Sequence, residues 1–351
     1  MRAKIIFIVS SERSGSNLLR KMLANHTCVT GPKAPHILNT FCSAPLPREV
    51  FADGLSRKVI FELMKAVVNC RLHDWRLDQE FEAIDATYRP TSMIDFFNAF
   101  YHTFQTTHPT EWVVCKENNL WDFYGELQAF YGDRARWIYL YRDPRDVVAS
   151  WMHVPLGLRT ARSAAKRWNE EQESCWKLTS NSQNRFLHVA YEQLIKHPES
   201  EVARILHAIG LTPEASCAHP EWNQPEDGTT ANVYWKNLDK PVLRNNSGKY
   251  RTLFDAPTLF QIQREVASSA RQLGYHVRSE NPLVNGLGWV AYLWQRNFGR
   301  FQQRKVNLHD DYTVELVGER LQLTKNVQQK LADLADVHTS TNTHSLAGRQ
   351  P

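Results

Sequence analysis

The apolar residues near the start of the chain change from a strand pattern to a helix pattern within a short distance. Residues 4–9 (KIIFIV) are an apolar, mostly β-branched run, which is typical of a strand buried on both faces. After a polar turn, apolar residues recur at helical spacing from Leu18 to Leu23. The pattern therefore predicts a strand, a tight polar loop and a helix, in that order.

Similar changes of pattern recur further along the chain. They predict strands at 112–115, 137–141 and 185–191, a loop at 29–38, and helices over much of 55–105, at 123–131 and at 199–210. Gly210 suits the C-cap of the last of these helices. Strands that alternate with helices favour a three-layer α/β fold, in which a mostly parallel central sheet carries helices on both faces.

The same pattern divides the chain into three parts. We assign residues 1–280 to one domain with a helical insertion at about 50–110, and residues 281–335 to a partly helical extension. Residues 336–351 are rich in Thr, Ser, His and Asn, which predicts a disordered tail. Residues 284–304 are amphipathic, so they form either a helix packed on the main domain, which we favour, or a peripheral membrane contact.

Composition narrows the class of protein. An apolar content of 42% and a charged content of 23% are ordinary for a globular protein, and the net charge of +5 suits an anionic ligand but not nucleic acid. The six cysteines lack metal-site spacing and predict reduced thiols. Because no signal-peptide pattern and no apolar run of about 18 residues occurs, we expect a cytoplasmic protein without a transmembrane segment.

The opening loop, residues 10–17 (SSERSGSN), carries the first candidate chemistry. A polar loop between a strand and a helix points backbone N–H groups at an anion, and Gly15 allows close approach. Arg13, Ser14 and Ser16 add donors. The loop lacks the Gly-Lys-Ser/Thr ending of a nucleotide-triphosphate P-loop, since Gly15 precedes Ser16 and Asn17. The alternative is an ordinary helix cap without a ligand.

The second segment, residues 142–150 (RDPRDVVAS), carries another anion clamp. Arg142 ends a predicted strand, and Asp143 with Pro144 suits the start of a helix. Ser150 lies on that helix, so Arg142 and Ser150 can converge on one phosphate. The alternative is that Arg142 pairs with a surface carboxylate and Ser150 only fills a helix face.

Together these two segments resemble the cofactor-binding segments of sulfotransferases that use 3′-phosphoadenosine 5′-phosphosulfate (PAPS). The resemblance implies the P-loop-like sulfotransferase fold. It implies that the opening loop binds the 5′-phosphosulfate through Arg13, Ser14, Gly15, Ser16 and Asn17, and that Arg142 and Ser150 bind the 3′-phosphate. The Arg-Ser-Gly form is the one found in carbohydrate and tyrosylprotein sulfotransferases.

A third stretch, the late loop at residues 244–254, is similar to a late loop of cytosolic sulfotransferases. The similarity implies that Arg244 and Gly248 close over the 3′-phosphate, although Asn245 stands where that family has its first glycine. Tyr191 begins a stretch that resembles a strand-to-helix turn of the family, and we interpret it as structural. The resemblance covers residues 4–275.

Sulfuryl transfer needs charge stabilisation on the leaving phosphate and a base for the acceptor proton. Arg13 and Lys116 are the candidates for the first task; Lys116 ends a predicted strand, where the family often has a lysine, or it is a solvated strand end. Cytosolic members place their histidine base where this chain has Asn118. His36 is the titratable group of suitable pKa in the loop after the first helix, and we favour it as base, with Glu117 as the alternative.

The resemblance thus implies an enzyme that moves a sulfuryl group from PAPS to a hydroxyl or amine of a small-molecule or glycan acceptor, such as a carbohydrate, a glycolipid or another hydroxylated metabolite. It implies no metal. Two alternatives stay open. One is a P-loop kinase-like phosphotransferase, which magnesium-dependent ATP turnover would reveal. The other is a sulfotransferase-like protein that binds the nucleotide without catalysis.

Overall fold

The computed structural model describes residues 1–42, 45–154, 160–182, 185–219, 241–277, 286, 288–290, 293 and 311–347. Within the last range, side chains are described for residues 314–339. The predicted domain boundary at residue 280 and most of the amphipathic stretch 284–304 lie outside the described residues.

The described strands form one parallel sheet. They are β1 (Ile5–Val9), β2 (Val29–Thr30), β3 (Trp112–Cys115), β4 (Ala135–Tyr141) and β5 (Phe186–Ala190), in the order β2-β3-β1-β4-β5. In register, Ile5 lies opposite Val113, and Trp137 lies opposite Phe186. The predicted α/β class with a parallel sheet flanked by helices is confirmed.

The described helices alternate with these strands. They are α1 (Ser16–Leu23), α2 (Ile37–Phe41), α3 (Arg48–Ala52), α4 (Gly54–Asn69), α5 (Phe81–Tyr88), α6 (Met93–Thr107), α7 (Leu120–Tyr131), α8 (Pro144–Trp151), α9 (Ala161–Asn181), α10 (Tyr191–Lys196), α11 (Pro198–Ile209), α12 (Ala215–Ala218), α13 (Tyr250–Leu253), α14 (Ala256–Gln272) and α15 (Asp311–Ala347).

Helix ends follow the local signals in the sequence. The Asp143 carboxylate accepts a hydrogen bond of 2.9 Å from the backbone N–H of Arg145, and Pro144 occupies the first turn of α8. Gly210 ends α11 with a φ of 89°, in the left-handed region that favours glycine. Both predicted helix boundaries are confirmed.

The chain divides into two compact units, with boundaries inside β1 and β4. Unit 1 comprises residues 1–7, 26–136 and 315–351, and unit 2 comprises residues 8–25 and 137–314. In unit 1, Phe7 of β1 stacks on Phe97 of α6 and meets the edge of Tyr131. In unit 2, Trp168 of α9 is buried among apolar side chains of α8 and α14.

One local expectation differs from the structure. The stretch predicted as a loop at 29–38 contains β2, which pairs with β3, and the start of α2. A strand of two residues cannot show an alternating pattern, so only its pairing partner reveals it.

In the described chain, α15 continues to Ala347, and the disordered tail expected at residues 336–351 stays a prediction. Leu316, Val327 and Leu331 are buried along this helix, and a helix anchored in this way propagates into residues of weak propensity. Within the described residues, no helix is both long and apolar enough to span a bilayer.

Candidate active site

The opening loop of unit 2 joins β1 to α1 through two left-handed residues. Arg13 has a φ of 67° and Gly15 a φ of 97°. No side chain caps the N-terminal turn of α1 within the described structure, so its first N–H groups point out of the helix as the sequence predicts. Ser14 is fully buried, and its Oγ lies 2.7 Å from Oγ of Ser11.

Position 15 must be glycine for a second reason besides its backbone conformation. A Cβ built on Gly15 would lie 2.5 Å from Cε2 of Tyr191. Tyr191, at the start of α10, is itself buried and contributes to the wall behind the loop. Tyr191 therefore has the structural role that we predict from the sequence, and it performs this role by packing directly against the opening loop.

A buried polar relay from α9 supports the loop from behind. The Gln172 amide donates a hydrogen bond of 2.8 Å to Oγ of Ser11, and the Tyr139 hydroxyl donates to the Gln172 carbonyl. Next to it, the backbone N–H of Glu12 donates to Glu171 at 3.0 Å. Sequence reasoning missed both α9 residues, because their charged and amide neighbours read as a solvated helix face.

The second segment contacts the opening loop through two hydrogen bonds. Nε of Arg13 donates to Oγ of Ser150 at 3.1 Å, and Nη1 of Arg142 donates to the carbonyl oxygen of Arg13 at 3.3 Å. The two predicted anion clamps are thus joined, and the Arg13 guanidinium, which the resemblance places at the first clamp, contacts a residue of the second.

Arg142 does not pair with a surface carboxylate, which was the alternative interpretation. It is only 6% exposed, its guanidinium lies 4.2 Å from the ring centre of Tyr191, and no described carboxylate is within ion-pair distance. Its Nε has no hydrogen-bond partner among the described residues. A buried cation with an unsatisfied donor is a candidate binding site for an anion.

The late loop also reaches this cluster, through the predicted residue Gly248 and through Asn246, which was not predicted. Nη2 of Arg142 donates to the carbonyl oxygen of Asn246 at 2.9 Å, and the N–H of Gly248 donates to the buried Asp146 at 2.6 Å. Arg244 instead forms an exposed ion pair of 2.6 Å with Glu199. The structure therefore brings Gly248 to the second segment, adds Asn246 and Asp146, and leaves Arg244 in a surface ion pair.

Three of the predicted catalytic residues, His36, Lys116 and Glu117, form a cluster within unit 1, whereas Arg13 belongs to unit 2. His36 begins α2 with a φ of 54°, and its Nδ1 accepts a hydrogen bond of 3.4 Å from the N–H of Asn118. This bond assigns the ring proton of neutral His36 to Nε2. Burial is the main reason why the pKa of His36 is well below its usual value. The charges of Lys116, His73 and Arg320 lower this pKa further.

Glu117 and Lys116 complete this cluster. The Glu117 carboxylate is buried and accepts from the N–H of Leu38 at 3.3 Å and from the Tyr101 hydroxyl at 3.4 Å. Burial raises the pKa of Glu117 to about 7, while Lys116 donates to the side chain of Asn118 at 3.0 Å. His36, Lys116 and Glu117, which the sequence proposes as alternatives or partners, are thus brought together.

Comparison with known proteins decides the family. A family model described as "Sulfotransferase family" matches residues 6–215, which is more than half of the chain. The chain belongs to the sulfotransferase family. The predicted family is confirmed, and no match is found among curated proteins.

Two solved sulfotransferase domains share the fold of this sulfotransferase. The sulfotransferase domain from the curacin biosynthetic pathway is 21% identical with a TM-score of 0.53, and the match covers 79% of this chain and 99% of that domain. The sulfotransferase domain from the Synechococcus PCC 7002 olefin synthase is 21% identical with a TM-score of 0.55, and the match covers 78% and 94% of the two chains.

Membership of the sulfotransferase family implies a PAPS-type sulfuryl donor in general. The residues of unit 2 fit such a group. The uncapped start of α1 suits a phosphosulfate, and the unsatisfied Nε of the buried Arg142 suits a phosphate. Within the described residues, no group of three or more His, Cys, Asp or Glu side chains is arranged to hold a metal ion.

Proposed function

We propose that this protein transfers a sulfuryl group from PAPS to a hydroxyl, or an amine, of a small-molecule or glycan acceptor. One observation carries the proposal: the opening loop and the late loop both bond to the buried guanidinium of Arg142, the first residue of the second segment, whose Nε has no partner among the described residues. The absence of a Gly-Lys-Ser/Thr ending argues against a kinase-like phosphotransferase.

The contacts in unit 2 suggest how its residues divide the work. The N–H groups of Ser16 and Asn17, with the hydroxyls of Ser14 and Ser16, suit the 5′-phosphosulfate. The guanidinium of Arg142, which donates to the carbonyl oxygen of Arg13, and that of Arg13, which donates to Ser150, suit the 3′-phosphate because a planar fork matches phosphate oxygens. Gly248 and Asn246 would hold the late loop against this end, and Arg244 would reach it only by leaving Glu199.

PAPS supplies an activated sulfuryl group, whose bond to the phosphate oxygen breaks as the bond to the acceptor forms. The protein must then stabilise the electron pair left on the phosphate, and the Lys116 ammonium is the cation of unit 1 proposed for this task. The acceptor also loses a proton, which requires a base.

Two residues can take this proton, and their surroundings predict different dependences of the rate on pH. His36 has a depressed pKa, so it is neutral throughout the physiological range and would give a rate that is flat above about pH 6.5. Glu117, with a pKa of about 7, would give a rate that rises through pH 7. The pH dependence of kcat/KM therefore distinguishes them.

For the acceptor, we propose a chemical class and no single compound. The Arg-Ser-Gly loop resembles that of carbohydrate sulfotransferases, which favours a sugar, a glycolipid or another hydroxylated metabolite. A suitable panel is galactose, galactosylceramide, glucosamine, p-nitrophenol and 3-hydroxybutyrate, with transfer of labelled sulfate from PAPS as the measurement.

The decisive binding experiment compares 3′-phosphoadenosine 5′-phosphate (PAP) with AMP by calorimetry. We expect PAP to bind at least tenfold more tightly, because only PAP offers a 3′-phosphate to Arg142 and Ser150. Arg142→Ala should abolish the preference, whereas Arg271→Ala, an exposed arginine of α14, should retain it. Equal affinity of the wild-type protein for PAP and AMP would refute the proposal. Preference for PAP without transfer to any acceptor would favour a nucleotide-binding protein that is not a catalyst.

A further inference from the structure

The C-terminal helix α15 carries a buried arginine that lies outside the matched family region. Arg320 is 8% exposed, on the same side of α15 as the buried residues Leu316 and Val327. Arg71 of unit 1 adds ion pairs to Glu315 and Glu319 at 2.9 and 2.8 Å. The helix is therefore docked on unit 1 by both apolar packing and charge.

The Arg320 guanidinium is bonded to the loop that contains His36. Nη2 donates to the carbonyl oxygen of Pro35 at 3.0 Å and to Oγ1 of Thr40 at 2.8 Å. Nε donates to Nε2 of His73 at 3.0 Å, and Nη1 donates to Thr324 on the same helix. One planar side chain thus binds the residue before His36, the first helical turn after it, and a second histidine.

These contacts reach the backbone of His36 itself. Oγ1 of Thr40 donates to the carbonyl oxygen of His36 at 2.7 Å, so Thr40 links the guanidinium to this residue. His36 has a left-handed backbone, a conformation that non-glycine residues adopt only when the surroundings enforce it. Arg320 contributes to those surroundings from a point 284 residues further along the chain.

A contribution to folding stability does not explain why Arg320 is buried. Among the described residues it has no carboxylate partner, and burial even lowers the pKa of its guanidinium. An apolar side chain at this position of α15 would avoid the desolvation. Lysine could not replace it, because an ammonium lacks the planar fork that satisfies acceptors on three segments.

We propose that Arg320 is a positioning residue, which holds the His36 loop in the conformation that sulfuryl transfer requires, and that α15 is therefore part of the active site. The proposal rests on the proposed function, in which His36 or the adjoining Glu117 takes the acceptor proton. It assigns to the C-terminal helix a role in acceptor-side chemistry rather than in nucleotide binding.

The electrostatics of the cluster agree with this role. Arg320 and Lys116 both lower the pKa of His36 and of His73, and burial lowers the pKa of His73 to about 3. Lys33 acts on His73 in the same direction, while the Glu117 carboxyl faces the N–H of Leu38. Both imidazoles are consequently neutral at pH 7, and Nε2 of His73 accepts a hydrogen bond from Nε of Arg320.

The test compares Arg320→Gln with Lys325→Gln in the full chain. Both changes remove one positive charge from α15, but Lys325 is exposed. We expect Arg320→Gln to speed hydrogen exchange of the amides of residues 37–41 at least tenfold and to lower kcat at least tenfold on the panel acceptor with the highest rate. KM for PAPS and the affinity for PAP should stay within twofold, because the hydrogen bonds of Arg320 to described residues all lie within unit 1. Lys325→Gln should change none of these.

Two further variants guard against a trivial loss of folding. Thr40→Val keeps the side-chain shape and removes only the hydroxyl, so it should produce a smaller change in the same direction. Arg320→Lys should fail to restore kcat. If exchange of residues 37–41 and kcat are the same in Arg320→Gln and Lys325→Gln, the inference is wrong. A failure of the proposed function is seen separately, as equal affinity of the wild-type protein for PAP and AMP.

Discussion

Replacing Gly15 by alanine tests the geometry of the opening loop more sharply than any removal of charge. Two separate features forbid a side chain there: the φ of 97° and the ring of Tyr191, which would lie 2.5 Å or less from the new Cβ. The chain supplies a matched control for each feature. Gly210 has a φ of 89° but open space, and Gly125 is an exposed position inside α7 with open space and no unusual backbone.

The expected magnitudes follow from these surroundings. Gly125→Ala should stabilise the protein by about 0.5–1 kcal/mol, since glycine inside a helix is unfavourable. Gly210→Ala should destabilise it by about 1–2 kcal/mol, the cost of a left-handed backbone for an L-residue. Gly15→Ala adds overpacking of about 1–3 kcal/mol against Tyr191, for a total of about 2–5 kcal/mol.

Urea denaturation of the three variants measures these values, and calorimetry with PAP adds a functional readout. Gly15→Ala should weaken PAP binding at least tenfold, because the start of α1 must move, whereas the two controls should bind as the wild type does. In the double variant Gly15→Ala/Tyr191→Ala, the loss of stability should be smaller than the sum of the two single losses. Gly15→Ala no less stable than Gly210→Ala would refute the role assigned to the Tyr191 ring.

Three other changes have predictable outcomes. Gln172→Leu leaves the hydroxyls of Tyr139 and Ser11 without their shared partner, so denaturation should show a loss of about 2 kcal/mol; unchanged stability would contradict the relay. Asp146→Asn replaces one acceptor oxygen by an amide donor, and limited trypsin digestion should then cut faster next to the late loop; an unchanged cleavage rate would argue against this anchor. Burial raises the pKa of Glu117 from 4.5 to about 7, so the wild type should lose about 3 kcal/mol as the pH rises from 4.5 to above 7, and Glu117→Gln should not; parallel pH–stability curves would exclude this assignment.

Elements with strong local signals were predictable from the sequence. The apolar run of β1 and the four residues of β3 are recognisable because a buried parallel strand reads as a continuous apolar stretch. The start of α8 and the end of α11 are recognisable because Asp143 and Gly210 satisfy helix ends through local contacts. In each case the determining interaction lies within a few residues.

The residues that sequence reasoning missed around the candidate site have a different property. The side chains of Gln172 and Arg320 donate to a hydroxyl or a backbone carbonyl of a segment that is remote along the chain, and the backbone carbonyl of Asn246 accepts from the remote Arg142. Such bonds do not require a fixed spacing between residues along the sequence. They need only a polar group at the right position in the fold, so no sequence motif indicates them. The same residue types occur on many solvated surfaces, and only burial distinguishes the two cases.

Burial also explains why the predicted residues Arg142 and Arg244 have different environments although both are arginines assigned to the same phosphate. Arg142 follows the last residue of a central strand, so the sheet removes it from water and its guanidinium must be satisfied by the loops around it. Arg244 lies on an exposed loop, where an ion pair with Glu199 is screened by solvent, contributes little to stability and is easily exchanged. The resemblance to the family identifies Arg142 and Arg244 equally well. The burial of the backbone that carries each arginine decides which guanidinium is held in place before an anion binds. Arginines at strand ends are therefore the stronger candidates in a sulfotransferase sequence, and those on late loops need a structure before a role is assigned to them.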